Sequence, residues 1–287
     1  MRFFRKPLRE KGRALASRVR RLRDVLGLPS IKRIDPGFLY LAWNDAIRQE
    51  ILDGTFESAE RKFVQRFLQP GMTVLDIGAY YGLYSLLASL KVGRHGQVIA
   101  FEPSPHQRTR LGLHLRMNGL TNVRIESLAL GSGEGPQTLF SASGGSAGFS
   151  GLRRPDVKDV VHPISVQVTT LDAYLQQNRI NSVDFIKIDV EGGELDVFRG
   201  AQNLLQQPLR PVILCELEDI RTQLWGHRAS DTSAFVEAFG FRWFSPRSDG
   251  RLSPSSCKVE PGVRNLVAVP KERIDSLKEM LSNGSDV

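Results

Sequence analysis

The spacing of apolar residues changes period several times along the chain, and each change marks an element. Over residues 2–28, Leu8, Leu15, Val19, Leu22, Val25 and Leu26 recur at roughly helical spacing among Arg and Lys, and Pro29 ends the pattern, which predicts a basic amphipathic helix. Residues 39–68 also read as helical, with a break at Asp53-Gly54. After Pro70-Gly71, Thr73–Ile77 predicts a strand buried on both faces, Gly78 and Gly82 bracket a turn, and 83–90 predicts a helix. A strand at Gln97–Phe101, a helix at Pro105–Met117 and a strand over 122–125 follow. Residues 131–155 are rich in Gly and Ser and read as a mobile loop beside the site. The rhythm then resumes with a helix at Leu171–Gln177, a strand over 183–189, a helix over 194–205 and a strand over 211–216. A helix over 232–239 and strands over 241–244 and 265–269 complete the pattern.

Strands alternating with helices predict a doubly wound, mostly parallel, Rossmann-like α/β sheet of seven strands, preceded by the basic helix. The chain divides into a basic arm (1–34), a catalytic domain (35–270) with an N-terminal helical cap (35–70) and the Gly/Ser-rich loop (131–155), and a C-terminal helix or tail (271–287). Of the +8 formal charge, twelve Lys or Arg against Glu10 and Asp24 fall in residues 1–34, so the catalytic domain is close to neutral. That distribution argues against a nucleic-acid groove in the body of the protein. The arm packs its leucines on the domain or on a second subunit, adheres to a membrane surface, or acts as a presequence or nucleic-acid arm. No apolar stretch reaches 18 residues and the start lacks a secretory pattern, so the expected location is cytoplasmic, with peripheral membrane contact through the arm. Cys215 and Cys257 have no zinc spacing and read as reduced, structural thiols.

In an open parallel sheet, ligands bind outside the carboxyl ends of the strands where strand order reverses. The polar residues at those ends are Asp76 with the Gly78/Gly82 turn, Glu102, Ser127, Asp189 with Glu191, and Glu216. Asp76-Ile77-Gly78-Ala79-Tyr80-Tyr81-Gly82 puts an acid before a glycine turn that opens a helix, so a ligand can approach the backbone closely. Glu102 closes the second strand, where an acid accepts both hydroxyls of a ribose. A nicotinamide enzyme shares these features, but the G-x-G-x-x-G fingerprint is absent, since Tyr80 and Leu83 stand at two of its glycine positions. A nucleoside ligand without pyrophosphate fits better.

The runs VLDIGAYYGLYS, FEPSP, VTTLDAY and VDFIKIDVEGGELDVFRGA together resemble the FkbM family of methyltransferases over roughly residues 54–245. The resemblance implies a class I methyltransferase fold, with S-adenosylmethionine held by Asp76 to Gly82 (Asp76, Gly78, Ala79, Tyr80, Gly82), its ribose at Glu102-Pro103 and its adenine along Ser127-Leu128. Relatives commonly read GAN at the turn, and Tyr80 departs from that pattern. The resemblance also implies an acceptor hydroxyl on a sugar or other natural product.

Lys187 and Asp189 share strand parity, and a lysine there is out of place among Phe185, Ile186 and Ile188. The functional reading assigns Lys187, Asp189, Glu191 and Glu216 to the transferred methyl and the acceptor, with Asp189 and Glu216 converging on one hydroxyl or one divalent cation such as Mg2+. The alternative is a paired charge that completes the core. His95, His106, His114 and His162 read as loop or solvent-face residues, whereas His227 is a candidate proton acceptor. Glu57 is a candidate to close over the methionine end of the cofactor. Transfer to nitrogen or to a macromolecule, and a noncatalytic scaffold, are the rival functions.

Overall fold

The computed structural model describes residues 28–255 and 265–281 together with Arg18, Leu22 and Leu26. The helix expected over 2–28 therefore falls largely outside the described residues, as does Cys257.

Two short strands, β1 (Ser30–Ile34) and β2 (Phe38–Ala42), form an antiparallel hairpin closed at Gly37, whose N–H donates to the Ile34 carbonyl at 2.7 Å. This corrects both the helical cap over 35–70 and the arm's limit at 34. Phe38, Tyr40, Leu41 and Ala42 are buried and Leu39 is exposed; pairing with β1 rather than an alternating pattern makes this segment a strand, and Pro36-Gly37 supplies the turn. Helix is confined to α1 (Arg48–Asp53) and α2 (Ser58–Phe67), separated by Gly54 in the left-handed conformation.

The central sheet has eight strands in the order β12-β11-β13-β10-β9-β3-β4-β5. Its parallel part is β3 (Thr73–Ile77), β4 (Gln97–Phe101), β5 (Val123–Glu126), β9 (Phe185–Ile188) and β10 (Val212–Glu216). On the far side, β13 (Asn265–Pro270) runs antiparallel between β10 and β11 (Phe241–Pro246), and β12 (Leu252–Pro254) is the edge. The count exceeds the expected seven because β12 is three residues long, too short to show a period.

Successive residues of the parallel strands face opposite cores. Val74, Val98, Phe185 and Leu214 pack with Phe63 of α2 and with Leu86, Leu87 of α3 (Leu83–Val92). Leu75, Ile99, Ile186 and Ile213 pack on the other face with Leu171 of α5 (Leu171–Gln177) and Phe198 of α6 (Glu194–Arg199). Burial on both faces explains the near-continuous apolar runs. The chain leaves β3 outward through β4 and β5, then returns to place β9 on β3's other side, so strand order reverses at β3.

Residues 131–155 are not the expected loop. They carry β7 (Gly135–Ala142), which pairs with β8 (Val161–Thr169), itself joined to β6 (Ala129–Leu130), and a 3-10 turn at Gly144–Phe149. Cross-strand pairing along the full length of β7 overrides its turn-like composition. The helix expected over 194–205 is interrupted: α6 ends before Gly200, which lies so close to the Gly131 carbonyl oxygen that a Cβ would be 2.1 Å from it, and α7 (Gln202–Leu205) follows. Of the helix or tail expected over 271–287, residues 271–273 and 275–280 form 3-10 turns rather than a helix. No described helix is long and apolar enough to cross a membrane.

His114, expected on a solvent face of α4 (Pro105–Met117), is fully buried. Its Nε2 accepts from the Leu41 N–H at 2.8 Å, its Nδ1 lies 2.6 Å from the Tyr81 carbonyl oxygen, and its ring stacks on Tyr40. Both nitrogens are used by a neutral ring that donates from Nδ1. Burial pushes its pKa down from 6.5 to about 4. The unfolded chain then binds a proton between these values that the folded chain refuses, so this contribution is present above the ordinary histidine pKa and is lost as pH falls to about 4. Asp76, Glu102 and Glu194, raised by burial, act oppositely in the same range, so the variant difference is the quantity to read. Relative to His114→Gln, the wild type is expected to lose roughly 3 kcal/mol more unfolding free energy from about pH 7 to about pH 4 in urea titrations. Parallel pH profiles for the two proteins would contradict this assignment.

Candidate active site

The turn after β3 is built by close backbone approach. Gly78 has φ +81°, and a Cβ there would lie 1.8 Å from the Asp189 carbonyl oxygen, so only glycine lets β3's exit rest on the end of β9. The Gly78 and Ala79 N–H groups both donate to the Phe101 carbonyl at 3.0 Å, tying the turn to the end of β4. Tyr80 takes a left-handed φ of 50°, which turns its N–H onto Glu102 Oε2 at 2.8 Å, while its hydroxyl donates to Asp45 Oδ2 at 3.1 Å. Glu102 Oε1 accepts from the Ser104 N–H at 2.8 Å. Two backbone donors thus fix this carboxylate and leave its remaining lone pairs for a ligand. Burial raises its pKa to about 7, against the pull of those donors.

Asp76 is buried beneath the turn, with Oδ2 accepting from Ser85 Oγ at 2.5 Å, and burial lifts its pKa to about 6. It supports the turn from behind. A cavity of about 470 Å³ opens above, and Gly78, Tyr80, Glu102, Pro103, Leu128, Asp189, Glu191 and Glu216 are among the residues that line it. Of the residues expected at the site, Asp76, Ala79, Gly82 and Lys187 are buried outside the lining, and Ser127 is exposed outside it.

Lys187 Nζ lies 2.8 Å from Asp189 Oδ2. Burial works against the lysine's charge, yet Asp189, Glu57 and Glu216 hold its pKa above the ordinary value. Burial likewise pushes Asp189 up, but Lys187 and a hydrogen bond with Glu216 outweigh it and keep Asp189 ionised. Burial and the Asp189 charge raise both Glu191 and Glu216 well above the carboxylate range. Glu216 is thus pushed toward the protonated form beside the charged Asp189. Carboxylate oxygens of Asp189, Glu191 and Glu216 lie within 4.8 Å of one another.

Several residues that periodicity does not reveal hold this acidic cluster together. Buried Glu194 Oε1 accepts from the Val190 and Gly192 N–H groups at 3.0 and 3.1 Å, clamping a turn in which Glu191 has φ 58°. Arg221 Nε lies 3.1 Å from Glu191 Oε2 and stacks on Phe149, while Trp225 Nε1 donates to the Glu191 carbonyl and Arg153 stacks on Trp225. These two cation–π contacts join the β7–β8 region to the segment after β10. The second acid in Glu191-Gly192-Gly193-Glu194 was the available sequence signal for the clamp; nothing comparable marks Arg221 or Trp225. His227, the candidate proton acceptor, is not among the cavity-lining residues.

The strand order of a doubly wound sheet thus brings Glu102, Asp189, Glu191 and Glu216 around one cavity at the switch point, where ligands bind in sheets of this class. The chain belongs to the FkbM methyltransferase family: residues 76–243, more than half of its length, match the Methyltransferase FkbM domain. It is 27% identical over 246 residues to the AMB antimetabolite synthetase AmbE of Pseudomonas aeruginosa, covering 72% of this chain and 11% of that protein. It is 27% identical over 157 residues to the 2-O-methyltransferase NoeI of Sinorhizobium fredii, covering 50% of this chain and 63% of that one. The matches thus span less than two thirds of these relatives. An O-methyltransferase of Bacillus cereus solved in complex with SAH is 16% identical, covering 74% of this chain and 80% of that one, with a TM-score of 0.43.

Gly78→Ala is expected to abolish binding of S-adenosylhomocysteine in calorimetry and to lower the melting temperature, because the methyl group meets backbone. Gly71→Ala, where φ is +90° but nothing lies within 4 Å of the added carbon, should cost only the backbone preference, about 1 kcal/mol, and keep ligand affinity. Equal effects of the two substitutions would contradict the close-approach account.

Proposed function

We propose that the protein transfers the methyl group of S-adenosylmethionine to a hydroxyl of a sugar or other small natural product. The observation that carries this reading is the contact of the Gly78 turn with the end of β9, which puts Glu102 and Asp189 on the walls of one cavity. The 2-O-methyltransferase among its relatives supports the choice of oxygen as the acceptor atom.

S-adenosylmethionine supplies an activated methyl, so the protein's tasks are to align the acceptor oxygen with it and to receive the hydroxyl proton. Glu102 accepts from the ribose hydroxyls, and Leu128 offers the adenine an apolar wall. Asp189, ionised beside Lys187 and bonded to Glu216, receives the proton. Lys187 acts through Asp189, whose orientation and charge it maintains. A divalent cation fits this donor set poorly, because the Lys187 ammonium already lies on Asp189 Oδ2 and the Arg221 guanidinium on Glu191 Oε2, the oxygens a cation would need. The acceptor hydroxyl is activated by the carboxylate alone. In the basic arm, the positive charge suits contact with an anionic membrane surface or a second subunit.

Asp189→Asn should lower turnover about 100-fold or more while S-adenosylhomocysteine affinity stays within a few-fold, whereas Glu102→Ala should weaken cofactor binding first. Chelation should leave the rate unchanged. Turnover would be followed by mass spectrometry of demethylated cofactor against a panel of small hydroxylated glycans. Full activity in both Asp189→Asn and Glu216→Gln, or loss on chelation with recovery on adding magnesium, would contradict the carboxylate mechanism.

A further inference from the structure

Glu57 lies before the segment that matches the family, and its conformation is unusual. It precedes α2 with φ 42° and ψ 45°, a left-handed backbone for a residue with a Cβ, and its side chain makes no capping bond to the helix that it opens. The carboxylate instead lines the cavity. Its Oε2 accepts from Tyr84 Oη at 2.6 Å and its Oε1 accepts from Asn265 Nδ2 at 3.1 Å. Tyr84 is a buried residue of the first turn of α3, just past the Gly78–Gly82 turn. Asn265 opens β13 and stands opposite Glu216 in the sheet. Two separate segments, the start of α3 and the start of β13, therefore fix this one carboxylate.

The electrostatics of this wall call for a cation. Glu50, Glu57 and Glu60 line it, and none of the lining residues from 46 to 60 is basic. Arg61, the adjacent cation, spends its guanidinium on the Phe56 and Gly54 carbonyls, each at 2.8 Å. Burial raises the Glu60 carboxyl, and the Glu57 charge adds to that. Lys187, whose charge Glu57 and Glu60 also feel, gives its hydrogen bond to Asp189 and, among the described residues, leaves the carboxylate of Glu57 without a cation bonded to it. If a nucleoside's ribose sits at Glu102, its amino-acid end, which carries an ammonium group, has the rest of the same cavity to occupy, and Glu57 lines that cavity.

We propose that Glu57, oriented by Tyr84 and Asn265, binds the α-ammonium group of the cofactor's amino-acid end. This rests on the reading of the cavity as an S-adenosylmethionine site. The left-handed backbone at Glu57 serves that contact, since it turns the carboxylate away from its own helix and onto the cavity wall.

The test is calorimetry of wild type and Glu57→Gln with S-adenosylhomocysteine and with its deamino analogue, which keeps the thioether and the carboxylate but lacks the ammonium. Charge-assisted contacts of this kind correspond to roughly 10- to 100-fold in affinity. Glu57→Gln should lose about that factor for S-adenosylhomocysteine and bind the deamino analogue as the wild type does. Tyr84→Phe, which removes one anchoring bond, should show a smaller loss with the same selectivity and serves if Glu57→Gln does not fold. Equal losses for both ligands, or no loss for either, would overturn the assignment of Glu57. Failure of the wild type to bind S-adenosylhomocysteine at all would instead overturn the reading of the cavity.

Discussion

A single close approach, that of the Gly78 backbone to the Asp189 carbonyl, governs the arrangement at the carboxyl edge of the sheet. Parallel neighbours in a sheet are about 5 Å apart, and a turn leaving one strand can lie on the end of the next only if no side chain intervenes. Here the missing Cβ is the space that the Asp189 carbonyl occupies. Because β3 exits over β9, the turn with Tyr80 and Glu102 and the strand end with Asp189 and Glu191 share one cavity. The β4 end adds a second tie through the Phe101 carbonyl, and Glu194 adds a third by holding the Val190–Gly192 backbone.

Placing so many carboxylates together costs solvation, and the protein distributes that cost unevenly. Asp189 keeps its charge through Lys187, while Glu191 and Glu216 are driven toward the protonated form. Glu102 and Asp76 sit between these limits, raised by burial to about 7 and about 6. On the proposed reading, this wall attracts a cationic sulfonium more than a neutral thioether, which favours replacement of spent cofactor by fresh cofactor.

The parallel strands and the residues at their ends were legible because burial on both faces leaves long apolar runs, and a polar residue that interrupts one stands out. Asp76, Glu102, Lys187 and Asp189 were singled out in this way, although Asp76 and Lys187 act from behind the cavity wall. Phe38 to Ala42 fits a helix as well as a strand, because five consecutive apolar residues satisfy either period, and only the partner strand β1 decides between them. His114 was read as exposed because its partners, Leu41 and Tyr81, lie 73 and 33 residues away. Arg221 and Trp225 stayed hidden for the same reason, since Phe149 and Arg153 reach them from a region whose Gly and Ser content resembles a loop.

The central claim is that one cavity aligns a sulfonium methyl with a hydroxyl beside Asp189. Supplying S-adenosylmethionine with a 13C-labelled methyl to the purified protein together with hydroxylated and aminated acceptors, and assigning the labelled product carbon by NMR, tests it most directly. The account predicts that the label appears on oxygen as a methyl ether and that Asp189→Asn removes the signal while still binding S-adenosylhomocysteine. A label found on nitrogen, or undiminished ether formation by Asp189→Asn, would contradict it.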